Sequence, residues 1–148
     1  MSRGRGRPAE DPIGLEVSTT GRLLQRAFDE QLMAAGGSVP VWLVVTALKR
    51  SDHAMQRDLA SSIGIEGATL THHLNRMERA GLVERRRDPL NRRNQTVALT
   101  ADGEKLFERL LVAVVAFDRR LRDGFTDDEL NQLRGLLGRL RANASTVA

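Results

Sequence analysis

The sequence predicts a mainly α protein with a small β element (α+β winged helix), comprising six helices and a two- or three-stranded β-wing, on three observations. Asp58-Leu59-Ala60-Ser61-Ser62-Ile63-Gly64-Ile65 followed by Ala68-Thr69-Leu70-Thr71-His72-His73-Leu74 reads as a short helix, a glycine-marked turn and a second helix. Gly81-Leu82-Val83-Glu84-Arg85 and Val97-Ala98-Leu99-Thr100 read as short strands around the tip Arg85-Arg86-Arg87-Asp88-Pro89-Leu90-Asn91-Arg92-Arg93. Amphipathic stretches with helix start and stop signals lie on both sides. A helix-turn-helix followed by a basic hairpin is the pattern of a winged nucleic-acid reader.

Residues 1–12 hold Gly4, Gly6, Pro8 and Pro12 among three arginines, too polar to pack a core, and are expected to form a mobile basic arm. Within it, Arg5-Gly6-Arg7-Pro8 resembles the core of an AT-hook, which inserts arginine into the minor groove; nonspecific attraction to phosphates is the plainer reading. Leu23, Leu24, Ala27, Phe28, Gln31 and Leu32 recur at helical spacing, so helix one should run from about Leu15 to Ala35 and stop at Gly36-Gly37. Ser38 can cap helix two, with Pro40 in its first turn and Trp42, Val45 and Leu48 on one face. Helix three is expected from Gln56 to Ile63 and helix four from Glu66 to Ala80, where Gly81 supplies a left-handed stop.

Beyond the hairpin, Thr100 can cap helix five, which reaches about Arg122 with Leu106, Leu110, Val114, Phe117 and Leu121 on one face. Thr126-Asp127-Asp128-Glu129 is a capping box, and Leu130, Leu133, Leu137 and Leu140 then make the stripe of helix six. The tail from Asn143 should fray.

At 148 residues and 41% hydrophobic content the chain has room for about one domain. The absence of Cys excludes disulfides, thiolate metal sites and thiol redox sensing, and no apolar run approaches the roughly 18 residues that span a bilayer. A cytoplasmic location follows as the expectation. Neither a phosphate loop nor a nucleophile elbow is present, so an enzyme is not expected, and no cofactor is implied. Adjacent helical residues point about 100° apart, so His72-His73 is a poor metal pair, and His53 has no partner in sequence. The net charge is only +4, yet Lys49 and Lys105 are the only lysines among 23 basic residues. The arginines gather at positions 3–7, 76–93 and 119–122, and their planar forks suit phosphates and guanine edges.

Leu70, Leu74 and Met77 mark the inward face of helix four, with Ala60 letting helices three and four cross closely. Thr69, Thr71, His72, Asn75, Arg76 and Arg79 then lie wholly or partly on the face open to a major groove. Arg76 is a candidate for a guanine edge or a phosphate, and His72 and Asn75 for base edges. Arg87, Arg92 and Arg93 in the wing are candidates for phosphates or a narrow minor groove. Arg85 and Arg86 face opposite sides of a strand, so at least one should be structural, paired with Glu84 or a helix.

From Trp42 to Thr100 the chain resembles the MarR family of winged-helix regulators. The residues that carry the resemblance include Asp58-Leu59-Ala60, Ile63-Gly64-Ile65, Leu70-Thr71, Leu74 to Val83, Asn91-Arg92-Arg93 and Leu99-Thr100-Ala101-Asp102-Gly103. The resemblance implies a homodimer on pseudo-palindromic double-stranded DNA, with residues 13–37 and 101–144 (helices one, five and six) as dimerisation helices, 38–100 as the winged domain and 145–148 as a tail. It implies repression relieved by a small, often aromatic effector, Arg93 as the minor-groove residue and Arg92 on a phosphate. Two departures stand out: Asn91 where the family usually has Asp, for which Asp88 is a possible substitute, and a third helix without a hydroxyl cap. An apolar cleft between helices one, two and five, lined by Phe28, Met33 and Trp42, is the candidate effector site, although Trp42 also fits plain core. The competing reading is an architectural DNA binder with little sequence preference, marked by a steep salt slope.

Overall fold

The computed structural model describes residues 11–51, 54–91 and 93–146. In chain order the elements are α1 (Ile13–Ala34), α2 (Val39–Arg50), β1 (Ala54–Met55), α3 (Gln56–Ile63), α4 (Gly67–Arg79), β2 (Val83–Arg87), β3 (Gln95–Leu99), α5 (Ala101–Leu121) and α6 (Asp127–Ser145). The strands form one antiparallel sheet in the order β1-β3-β2, with Val83 opposite Leu99, Arg85 opposite Val97 and Ala54 opposite Val97 on the other side. These are the six helices and the wing expected from sequence. The arm with Arg5-Gly6-Arg7-Pro8 lies outside the described residues, as do His53 and Arg92.

The chain divides into two compact units within α5, at Val114 and Val115. In the first, Leu32 of α1, Val44, Val45 and Leu48 of α2, Leu59 and Ala60 of α3, and Leu70, Leu74 and Met77 of α4 are buried in one cluster with Val83, Val97, Leu106 and Leu110. Each large side chain removed from water contributes about 1.5–3 kcal/mol, so this cluster holds the unit together. Leu106 and Leu110, on the apolar face of α5, are core, because the Gly36-Gly37 turn and α2, through Trp42 on Phe107, lie against that side of the helix.

Local signals set the ends of the elements around this core. The Ser38 hydroxyl accepts from the Val41 amide at 3.4 Å to start α2. Gly64, at φ 77°, ends α3 in the left-handed region. After α4, the Leu82 amide donates to the Met77 carbonyl at 2.9 Å and the Gly81 amide to Glu78 at 3.0 Å, a Schellman closure that turns the chain into β2. Thr100 joins that turn to α5: its hydroxyl donates to the Gly81 carbonyl at 2.5 Å and accepts from the Gly103 amide at 3.1 Å.

In the second unit the capping box forms as read, with the Thr126 hydroxyl accepting from the Glu129 amide at 3.2 Å and the Thr126 amide donating to the Glu129 carboxylate at 2.8 Å. The helix continues into the segment expected to fray. Ser145 and Thr146 hydroxyls donate to the Arg141 and Ala142 carbonyls at 2.9 and 2.8 Å, giving last-turn acceptors the partners that the helix cannot supply. No residue of α6 is buried, and Leu121, Phe125, Leu133 and Leu136 are exposed.

Candidate nucleic-acid interface

The readable side of α4 follows from what its other side buries. With Leu70, Leu74 and Met77 at 2% exposure or less, Thr69, His72, Arg76 and Arg79 are left exposed along the opposite face. Thr71 and Asn75, named from sequence as readers with them, are half-buried and already bonded within the protein. The Thr71 hydroxyl accepts from Gln56 Nε2 at 2.9 Å and donates to the Gly67 carbonyl at 2.9 Å. Its only hydrogen is therefore engaged, which withdraws it as a donor to a base. Asn75 Oδ1 accepts from Arg85 Nη2 at 2.6 Å.

Arg85 is the residue that joins wing and helix. Its side chain is only 17% exposed, and Nη2 and Nε reach Glu78 Oε2 at 2.6 and 3.1 Å. The paired geometry makes this the strong, directional kind of ion pair. Arg86 faces the other way and pairs with Glu84 at 3.1 Å, as alternation along a strand requires. Sequence reading anticipated one structural arginine here without locating its partners. Glu78 and Asn75 meet Arg85 because the Schellman turn lays β2 beside the last turns of α4.

At the tip, each polar side chain folds its own turn. Asp88 Oδ1 accepts from the Leu90 amide at 2.9 Å and Asn91 Oδ1 from the Arg93 amide at 3.2 Å. Asn91 thus uses its side-chain oxygen to fold the tip, and Asp88 Oδ1 is occupied locally. Arg87 is exposed at the end of β2. Arg93 is exposed but folded back from the tip: with Gln56, Arg57, Gly67, Thr71 and Asn94 it lines a cavity of about 270 Å³. Neither α3 nor α4 has a side-chain cap at its N-terminus, which leaves first-turn amides to water or an anion.

His72 stands edge-on to His73, ring centroids 5.8 Å apart. His73 turns into a groove with Pro40, Val41 and Met77, and burial first, then the charges of His72 and Arg76, holds its pKa below 6.5. Glu78 is held below 4.5, chiefly by the hydrogen bond from Arg85 and against a smaller effect of burial. In both cases the unfolded chain binds protons more readily than the folded one, so stability rises with pH through each window. The His73 contribution is complete above pH 6.5 and is lost as pH falls through the lower folded value; the Glu78 contribution follows the same course below 4.5. Urea unfolding at pH 7.5, 5.5 and 4 should show two falls, with His73→Gln flattening the first and Glu78→Gln the second. A His73→Gln profile parallel to the wild type between pH 7.5 and 5.5 would remove the histidine assignment. Among the described residues no three His, Cys, Asp or Glu come together as a metal site.

The three candidate effector residues are not brought together. Leu32 points into the core, so its neighbour Met33 turns to solvent and is 69% exposed. Phe28 packs partly against the core. Trp42 stacks on Phe107, with centroids 5.9 Å apart and planes within 4°. Its other surroundings form a cavity of about 610 Å³ between α2, β1 and α3, lined also by Thr46, Arg50, Met55, Leu59 and Ile63. The Thr46 hydroxyl is buried there without a hydrogen-bond partner.

A three-stranded wing behind two crossed helices, the second exposing a polar and basic face, defines a winged helix-turn-helix protein. Residues 38–94 match the model of the MarR family. Over these residues the chain is similar to that family of transcriptional regulators. It is 28% identical over 114 residues to an uncharacterised helix-turn-helix transcriptional regulator, YwoH of Bacillus subtilis, covering 77% of this chain and 82% of that protein. Among solved structures, CouR from Rhodococcus jostii RHA1 bound to p-coumaroyl-CoA is 28% identical, with a TM-score of 0.70 over 88% of this chain and 92% of the other. A mutant MarR from E. coli complexed with operator DNA shares the fold at 23% identity, with a TM-score of 0.75 over 88% of this chain and 94% of that one. No single helix of the described residues is long and apolar enough to cross a membrane.

Proposed function

We propose that the chain is a homodimeric, sequence-specific repressor in the cytoplasm that lays the exposed face of α4 in the major groove and is released by a small apolar or aromatic ligand. The observation that carries this reading is the uninterrupted exposed row Thr69, His72, Arg76 and Arg79, flanked by Arg87 and Arg93 of the wing. Arg76 is suited to a guanine edge, Arg87 and Arg93 to backbone or minor groove, and Arg92 to a phosphate. The E. coli MarR of the same fold, solved in complex with operator DNA, supports DNA as the partner.

Dimerisation is supported by apolar surface that a monomer leaves wet. Ile13, Leu15 and Leu23 of α1, Leu111 and Val112 of α5, and Leu133 and Leu136 of α6 are all exposed. A second copy covering these helices would set two α4 helices for adjacent major grooves, roughly 34 Å apart. For the effector, the cavity beside Trp42 replaces the cleft expected from Phe28 and Met33. At about 610 Å³ it falls in the usual range for small-molecule sites. The ligand of CouR makes an aromatic group a reasonable occupant.

Footprinting on DNA upstream of the protein's own gene separates this reading from an architectural binder: a protected palindrome supports it, and uniform coating overturns it. Arg93→Ala should weaken operator binding by about 1–3 kcal/mol at fixed salt while sedimentation shows the dimer intact. Equal affinity would remove Arg93 from the interface.

A further inference from the structure

We infer that Asn75 reads its base as a donor only, accepting guanine, thymine or, through N7 alone, adenine, and rejecting cytosine, which presents only its amino group in the major groove, and that Arg85 imposes this choice. The inference rests on the proposed entry of α4 into the major groove.

An asparagine amide ordinarily offers one acceptor and two hydrogens, and this is what lets it pair in two places with adenine, whose N7 accepts and whose N6 donates. Asn75 is not free in that way. Arg85 Nη2 lies 2.6 Å from its side-chain oxygen. A guanidinium has donors and no acceptor, so the atom facing it must be Oδ1, and the amide has one orientation. Arg85 cannot yield, because the same guanidinium is held by Glu78 through contacts of 2.6 and 3.1 Å and is largely covered. The amide plane is thereby fixed to the wing, with Oδ1 turned toward β2 and Nδ2 left for solvent or DNA. Nδ2 carries two hydrogens and no lone pair to offer. Against guanine O6 or N7, thymine O4 or adenine N7 it makes a hydrogen bond, although the two-point pairing with adenine is lost because N6 meets no acceptor; against cytosine N4 it sets donor against donor. Asn75 falls three residues after His72, on the same side of α4 as the exposed row, so one base pair beside that read by His72 or Arg76 comes within its reach. Arg85 is a positioning residue here: it touches no base, yet it decides which base is accepted.

The test is selection from a random duplex library with the full-length protein, followed by affinity measurements on the selected site and its three variants at one position. For the wild type, one position per half-site should exclude cytosine on one strand, and a cytosine there should weaken binding about tenfold. In Asn75→Ala the same replacement should matter by less than about twofold. Asn75→Asp keeps an oxygen for Arg85, so the fold is retained, but presents acceptors instead of donors; its preference should invert toward cytosine or adenine. Arg85→Met should add a preference for adenine by freeing the amide for two-point pairing with N6 and N7, and Arg85→Lys should restore the wild-type pattern. The inference is overturned by a wild-type preference for adenine or cytosine that Asn75→Ala erases, by exclusion of cytosine that survives Asn75→Ala, or by an Asn75→Asp preference identical to the wild type. Those outcomes leave the protein a specific reader. A wild-type protein that selects no sequence at all would instead overturn the reading on which the inference stands.

Discussion

Gly103→Ala should destabilise the protein by about 3 kcal/mol or more. Gly103 is buried in the first turn of α5, and a Cβ built there runs into the backbone carbonyl oxygen of Leu82 and also meets Leu99 Cδ2 at 3.1 Å. The Leu82 carbonyl cannot retreat, because it accepts from the Thr100 amide at 3.1 Å while the Leu82 amide closes the Schellman turn after α4. Helix α5 cannot easily retreat either, since Leu106 and Leu110 anchor it in the core. Gly37 is a useful contrast: its added Cβ would meet Leu110 Cδ2 at 2.7 Å, the end of a side chain that can rotate, so Gly37→Ala should cost less. Equilibrium urea unfolding checks both. A Gly103→Ala protein within about 1 kcal/mol of the wild type would mean that α5 can slide off the α4 to β2 turn.

Leu74→Ala should cost about 2–5 kcal/mol. Leu74 has no exposed surface and stands directly beneath the face formed by His72, Asn75 and Arg76, so its loss leaves a cavity under the reading helix. The consequence for function differs from that of removing a contact. Base preference should be unchanged where the protein is fully folded, at low temperature and without denaturant, while the midpoint of thermal unfolding falls. A changed base preference in folded Leu74→Ala would show that the tilt of α4 depends on this one side chain and not on the Arg85 tie.

Much of the fold was legible because it depends on signals local in sequence. Ser38, Gly64, Gly81, Thr100 and the Thr126 capping box each terminate or start an element through bonds within a few residues, and all did so where expected. The inward face of α4 was legible for the same reason, since its period needs no knowledge of the partner. The two-residue strand β1 could not be located, because Ala54-Met55 is too short to show alternation and exists only through pairing with β3. Phe28, Met33 and Trp42 were grouped because all are large and apolar, a property that carries no direction. Direction came from α1 burying Leu32 and from Trp42 stacking on Phe107.

Sequence alone determined the class of the protein: a winged helix-turn-helix with an exposed polar and basic helix face, written in caps, turns and a 3.6-residue period. Tertiary structure decided which groups on that face are still available. Thr71 and Asn75 share the face by periodicity, yet Gln56 and Arg85, 15 and 10 residues away, already donate to their side-chain oxygens. The physical reason is that a helix dictates where its own side chains point within one turn, whereas the partners that saturate a donor or an acceptor arrive from segments whose positions only the packed core sets.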